Sequence, residues 1–300
     1  MRILLTNDDG IRAPGIMALR SALLGAHGRG PFAAGGDTLA SLLTVAPLTV
    51  QSATSHGVTF HEPLMVEDVE LPRTGAFSDG VVAAVDAGLD PGIGIAVDGR
   101  PADCVKLAVS SLWPERYGND ADGRRSRPDL LISGMNAGAN CGINVIYSGT
   151  VAAAIEGAFL GVPSIAVSMM LGKGKPRFDI GALRARHALE KVLAAGPLKP
   201  YECISINVPV TEDPSLTPDS PMPAVHVCPM NIHGLVDKYE RRESPSGNTY
   251  YWAAGYGLDF HGTDPGSDVD HLLKGDITVT PLKFDLTKHE AMQMWRGRLG

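Results

Sequence analysis

Two adjacent carboxylates, Asp8 and Asp9, follow a short apolar run in the opening stretch MRILLTNDDGIRAPGI. Two anions placed side by side repel, and a divalent cation between them removes that cost. Hard cations such as Mg²⁺ take oxygen ligands, usually one or two carboxylates with water and a substrate phosphate. The competing reading is a plain turn, because Asn, Asp and Gly bond their own backbone or tolerate positive φ. A second set of residues sits in SGMNAGANCGINVIYSGTVAAAIEG. Ser133, Gly134 and Asn136 leave an apolar run, and Gly138, Gly142 and Gly149 keep the loop backbone bare. Ser148-Gly149-Thr150 then opens an Ala-rich helix. A helix start exposes unpaired N–H groups and suits phosphate, although a Ser or Thr there also serves as a simple N-cap.

The elements that must position these groups read as α/β. The Arg2–Thr6 run is a buried-strand pattern, GIMALRSALLGAHG has helical spacing with a Gly stop, and SLLTVAP is a second strand. Strand, helix and strand in this order predict a parallel βαβ unit, and ligands gather beyond the carboxyl ends of such strands. PFAAGGDTLA reads as loop, VQSATSHGVTFHEPLMVEDV as loop and hairpin, and GIGIAVDGRPADCVKLAVSSL as strand, turn and helix. A strand precedes Ser133, a helix runs from Thr150 to a stop at Gly161, and strand, helix and strand follow to Val210. From Ala224 the pattern changes to strand-like pieces between turns, which suggests antiparallel hairpins. The expected division is an α/β core over residues 1–223 and a β-hairpin-rich extension over 224–300.

Composition narrows the classes. The 300 residues carry a net charge of −7, a sequence pI near 5.7, 44% hydrophobic and 20% charged residues. A net acidic chain is a poor binder of nucleic-acid polymers, which are held by Lys and Arg on phosphates. No run approaches the ~18 apolar residues of a membrane span. Cys104, Cys141, Cys203 and Cys228 form no CxxC pair or zinc spacing, which predicts free thiols and a cytoplasmic protein. There is no GxGxxG at the first helix and no GxxxxGK[ST], so neither a dinucleotide site nor a P-loop is indicated.

Taken together, ILLTNDDGIRAPGI, LISGMNAGAN, GRPADCVKLAV, YSGTVAAAIEGAFLGVPSIAVS, INVP and SDVDHLLKGDITVTPL resemble the SurE family of metal-dependent nucleotidases, over nearly the whole chain. The resemblance implies a Rossmann-like three-layer α/β/α sandwich and a phosphatase acting on nucleoside 5′- or 3′-monophosphates, with short polyphosphate as a further substrate in some members. It implies one divalent ion, Mg²⁺ or Mn²⁺, held by Asp8, Asp9, Ser52 and Asn136, and a homodimer or homotetramer built partly by exchange of C-terminal elements. The chain departs from the family pattern around Ser52: Leu48, Thr49 and Val50 follow VAP, and Ala53 replaces a glycine.

A bound cation neutralises phosphoryl oxygens and acidifies water, so positioning and electrostatics dominate what is left for the protein. In this reading Asp8, Asp9 and Asn136 are the catalytic set. Ser148, Gly149 and Thr150 cradle phosphate, and Asn7 and Asn140 are further donors to it or turn residues. His56, His61 and His233 are candidate acids for the leaving group, and Tyr147, Tyr250, Tyr251 and Trp252 are candidate base-stacking rings. The alternative is a non-catalytic nucleotide- or Mg²⁺-binding regulator of the receiver type. Such a domain needs an acceptor Asp after a central strand, where this chain has SGMNAGAN.

Overall fold

The structure is a computed structural model and describes residues 1–73, 80–254 and 258–300. In chain order the first half comprises β1 (Arg2–Thr6), α1 (Pro14–Leu24), β2 (Ala33–Ala34), β3 (Asp37–Thr38), β4 (Ser41–Pro47), β5 (Val66–Glu70), α2 (Val81–Asp86), β6 (Ile93–Val97), α3 (Pro101–Leu107), α4 (Trp113–Tyr117) and β7 (Leu130–Ala137). The second half comprises α5 (Gly149–Phe159), β8 (Ser164–Met169), α6 (Phe178–Ala194), β9 (Cys203–Val208), β10 (Val225–Val227), β11 (Tyr239–Glu243), β12 (Thr249–Ala253), α7 (Asp268–Leu273), β13 (Ile277–Leu282) and α8 (His289–Leu299). A π-helical segment, Ala108–Leu112, joins α3 to α4.

Nine strands form one sheet in the order β10-β13-β9-β8-β7-β1-β4-β6-β5. The six from β9 to β6 are parallel, β5 runs antiparallel to β6, and β13 runs antiparallel to β9. Strand alternation divides the core into two layers. Ile3 and Leu5 of β1 and Ile132 of β7 face Ile16, Leu19 and Leu23 of α1 and Leu189 of α6. Leu4 and Leu131 point the other way, toward Val105 of α3 and Val151 and Ala154 of α5. The architecture is the expected three-layer α/β/α sandwich. A buried ion pair ties α1 to the β6 side, with Arg20 donating Nε and Nη2 to the two oxygens of Asp90 at 2.8 and 2.7 Å.

Among the described residues beyond Ala224, only β11 and β12 form the expected antiparallel hairpin. β10 pairs parallel with β13, and through β13 both extend the main sheet. The stretch read as loop at 31–40 carries the small β2–β3 hairpin. The hairpin read near residues 60–70 is instead the single strand β5, whose partner is β6 beyond α2. Helices α2, α7 and α8 were not evident in the sequence pattern.

Candidate functional site

The strand order reverses at β1. The chain passes from β1 to β4 on one side, and later returns to β7 on the other. A crevice at the carboxyl ends is expected at such a switch point. The residues after β1 and at the end of β7 are Asn7-Asp8-Asp9 and Asn136. Thr6 is in register with Ser133, and β7 bulges between Ser133 and Asn136, which re-aims the last residues of the strand.

Three segments converge on the acids. Asp8 is buried, and Thr150 donates to it twice, from its backbone N to Oδ2 at 3.0 Å and from its hydroxyl to Oδ1 at 2.5 Å. Ala137 N, next to Asn136, donates to Asp9 Oδ2 at 2.9 Å. Gln51 N donates to the Asp8 carbonyl at 2.7 Å, which ties the backbone just before Ser52 to the segment that carries the acids. The start of α5 comes close enough that a Cβ on Gly149 would lie 2.9 Å from Asp8 Cβ and 3.0 Å from its Oδ2. Only a glycine permits that approach.

The loop carrying Ser52 is strained and clamped. Ala53 and Ser55 hold φ of 57° and 53°, a costly region for residues with a Cβ. Ser55 donates its hydroxyl to the Ile146 carbonyl at 2.7 Å, and Thr59 bonds both oxygens of Asp103 at 2.8 Å each. His56 Nε2 meets Glu156 Oε2 at 2.7 Å, and Lys106 donates to Glu156 Oε1 at 2.9 Å. Burial alone would push Glu156 up, but the bonds from His56 and Lys106 outweigh it and hold the group below the usual carboxylate value. Glu156 thus links the loop to α5. Nothing in the local sequence pattern pointed to it.

The remaining candidates fall in distinct places. Ser148 caps α5 by accepting from Val151 N at 3.1 Å. Asn136 donates its amide N–H to the Gly138 carbonyl at 2.7 Å, which leaves its oxygen turned away from that contact. Asn140 is bonded to Ser168 and Asn207 at the ends of β8 and β9. Asn7 donates to the Gly10 carbonyl at 2.9 Å. His233 pairs with Asp264 at 3.0 Å, and His61 is exposed. Tyr147 is exposed next to Ser148, whereas Tyr250, Tyr251 and Trp252 are exposed on the β11–β12 hairpin. Beside Ser148 opens an apolar cavity of about 910 Å³, walled by Ala152, Ile155 and Phe159 of α5 and by Val227, Leu282 and Phe284.

The expected ligands Asp8, Asp9, Ser52 and Asn136 would offer a hard cation two carboxylates, a hydroxyl and an amide oxygen, with no thiol and no imidazole among them. Desolvation raises Asp8 to about 6, with the neighbouring Asp9 charge adding to the rise against the Thr150 bonds that lower it. The amide oxygen of Asn7, the residue before Asp8, is buried with no protein hydrogen-bond partner. A buried acceptor and a destabilised anion together are the electrostatic condition that a divalent cation relieves.

Comparison with known proteins gives the same direction. The family model "Survival protein SurE" matches residues 3–231. The chain is 38% identical to the 5′-nucleotidase SurE of Heliobacterium modesticaldum, covering 100% of this chain and 92% of that one. It is also 38% identical to the 5′-nucleotidase SurE of Desulforudis audaxviator, covering 99% and 100%. The crystal structure of the SurE protein from Aquifex aeolicus superposes with a TM-score of 0.70 at 29% identity over the full length of both chains. With the paired acids, the switch-point crevice and end-to-end likeness to these proteins in hand, the chain belongs to the SurE family.

Proposed function

We propose that the chain is a metal-dependent 5′-nucleotidase that hydrolyses nucleoside monophosphates to nucleoside and phosphate. The observation that carries this reading is the bracing of Asp8 by both donors of Thr150, which sets the paired acids against the start of α5, where Gly149 leaves the backbone bare. The relatives named 5′-nucleotidase supply the substrate class.

Asp8, Asp9, Ser52 and Asn136 would hold a single Mg²⁺ or Mn²⁺. When bound, that ion neutralises phosphoryl oxygens and makes water more acidic. The protein's own part is placement. Thr150 fixes the Asp8 carboxylate with both of its donors. Asp9 is oriented by Ala137 N and is the better placed of the two acids to accept a proton from the attacking water. The bare backbone at Gly149 lets phosphate approach the start of α5, and Asn140, held by Ser168 and Asn207, is a further donor near the strand ends. His56 is committed to Glu156, which disfavours it as the leaving-group acid.

The proposal extends to assembly and compartment. Four buried free cysteines suit a reducing cytoplasm. A homodimer or homotetramer formed through residues 224–300 as an extension of the core is supported by α8, which buries none of its residues, and by the exposed hairpin β11–β12. No helix among the described residues is long and apolar enough to cross a membrane.

The test is phosphate release from AMP with Mg²⁺ or Mn²⁺, with and without EDTA. Release that stops with EDTA and is lost in Asp9→Ala, with an unchanged circular dichroism spectrum, is expected. A purely regulatory binder would release none under any condition, and full activity in Asp9→Ala would place the site elsewhere.

A further inference from the structure

Away from the crevice, three potential ligands meet in the C-terminal part of the chain. The imidazoles of His226, on β10, and His271, on α7, stack with centroids 4.1 Å apart and planes 17° apart. Both present a ring nitrogen to the same carboxylate oxygen. Asp276 Oδ2 lies 3.0 Å from His271 Nδ1 and 3.4 Å from His226 Nε2. All three ligand atoms lie within 4.8 Å of one another.

The backbone holds this grouping in place. Lys274 N and Asp276 N both bond to the His271 carbonyl at 3.1 Å, around a turn in which Gly275 takes φ of 90°. That turn fixes His271 relative to Asp276. The pairing of β10 with β13 puts His226 opposite Thr278, two residues past Asp276. Strand β10, helix α7 and the turn between α7 and β13 therefore deliver one side chain each to one spot.

We propose that His226, His271 and Asp276 form a second cation site, for a transition metal of the Zn²⁺ class. Two imidazoles and a carboxylate are the ligand chemistry of Zn²⁺, Co²⁺ or Ni²⁺, whereas Mg²⁺ prefers oxygen alone. The spacing fits as well. Zinc bonds of about 2.0–2.1 Å in a tetrahedron put neighbouring ligand atoms about 3.3–3.4 Å apart. The observed separations of 3.0 and 3.4 Å from Asp276 bracket or meet that edge. An imidazole ligates in its own plane, so the stacked rings must open as the ion enters. His226, with 41% of its side chain exposed, has room to turn. The fourth position is left to water. Such an ion would tie β10, α7 and β13 together, and the molecule would sort metals between an oxygen-lined crevice and this imidazole site.

The test uses the full-length protein stripped by chelator and then held in excess Mg²⁺. Calorimetric titration with Zn²⁺ is expected to show one Zn²⁺ per chain. His271→Ala and Asp276→Asn should each weaken that binding by about tenfold or more, while both keep Mg²⁺-dependent AMP hydrolysis. Asp9→Ala should retain the Zn²⁺ affinity, which separates this site from the first whatever the fate of the nucleotidase reading. Crystals of the unsubstituted protein soaked in Zn²⁺ give a readout that needs no variant, an anomalous peak between His226 Nε2 and His271 Nδ1. Unchanged Zn²⁺ affinity in both variants, or the absence of that peak, would overturn the proposal and leave the cluster a hydrogen-bonded His–Asp pair.

Discussion

Asp8 carries the largest electrostatic tension in the crevice. Its pKa of about 6 lies above the ordinary value of 3.8, chiefly through desolvation. A carboxylate raised on folding favours the native state when protonated, so stability falls as pH rises from about 3.8 through about 6. For this largely buried group the difference is about 3 kcal/mol. Through this group, metal-free protein should lose stability between pH 5 and pH 7.5, and Mn²⁺ should raise the melting temperature more at pH 7.5 than at pH 5. Equal metal-induced shifts at both pH values would remove Asp8 from the ligand set. Gly149→Ala tests the neighbouring contact. The added methyl meets Asp8 and Pro101 at 2.9–3.0 Å, so we expect loss of metal binding and at least about 1–3 kcal/mol of destabilisation, read by metal titration and urea unfolding. The acids themselves were legible in the sequence because Asn-Asp-Asp-Gly after an apolar run is locally conspicuous. The bond from Thr150 to Asp8 was not. It spans 142 residues, and a Thr in the first turn of a helix reads as a cap or as a phosphate donor, not as a brace for a distant acid.

Elements explain how the Ser52 loop stays in place. Its two positive-φ residues would relax if the clamps were weak, so His56, Glu156 and Lys106 should act together. Glu156→Ala is expected to weaken Mn²⁺ binding while the fold persists at a cost of about 1–3 kcal/mol. A variant that loses only stability, with unchanged Mn²⁺ affinity, would make Glu156 a packing residue. The buried pair on α1 is a contrasting case. Asp90→Ala leaves Arg20 charged and enclosed, and should cost about 3–5 kcal/mol in denaturant titration without touching metal affinity. Strands β1, β4 and β7 and helices α1, α5 and α6 could be read from period alone, since each is an apolar run or a stripe with turn residues near at least one end. Strands β10 and β13 read as hairpin pieces because short alternating segments look alike whatever their partner. Their pairing with each other and with β9 spans the β11–β12 hairpin and α7, and no local signal encodes it. Helix α8 was hidden for a different reason: its charged residues and scattered Met and Trp form no buried stripe within this chain.

At the scale of the molecule, the exposed Met292, Met294 and Trp295 of α8 are apolar surface without a cover in one chain. The proposed oligomer would cover it. Trp295→Glu is expected to shift the protein to a smaller species in sedimentation velocity while AMP hydrolysis per folded chain persists. A monomeric parent protein would end that part of the proposal. The order in which the fold is assembled has a further result. The two acids are made long before the groups that brace them, since Ala137 follows Asp9 by 128 residues and Thr150 follows Asp8 by 142. A growing polypeptide on the ribosome therefore carries the anions unbraced, and under the proposed metal reading ion capture waits until β7 and the start of α5 have joined β1.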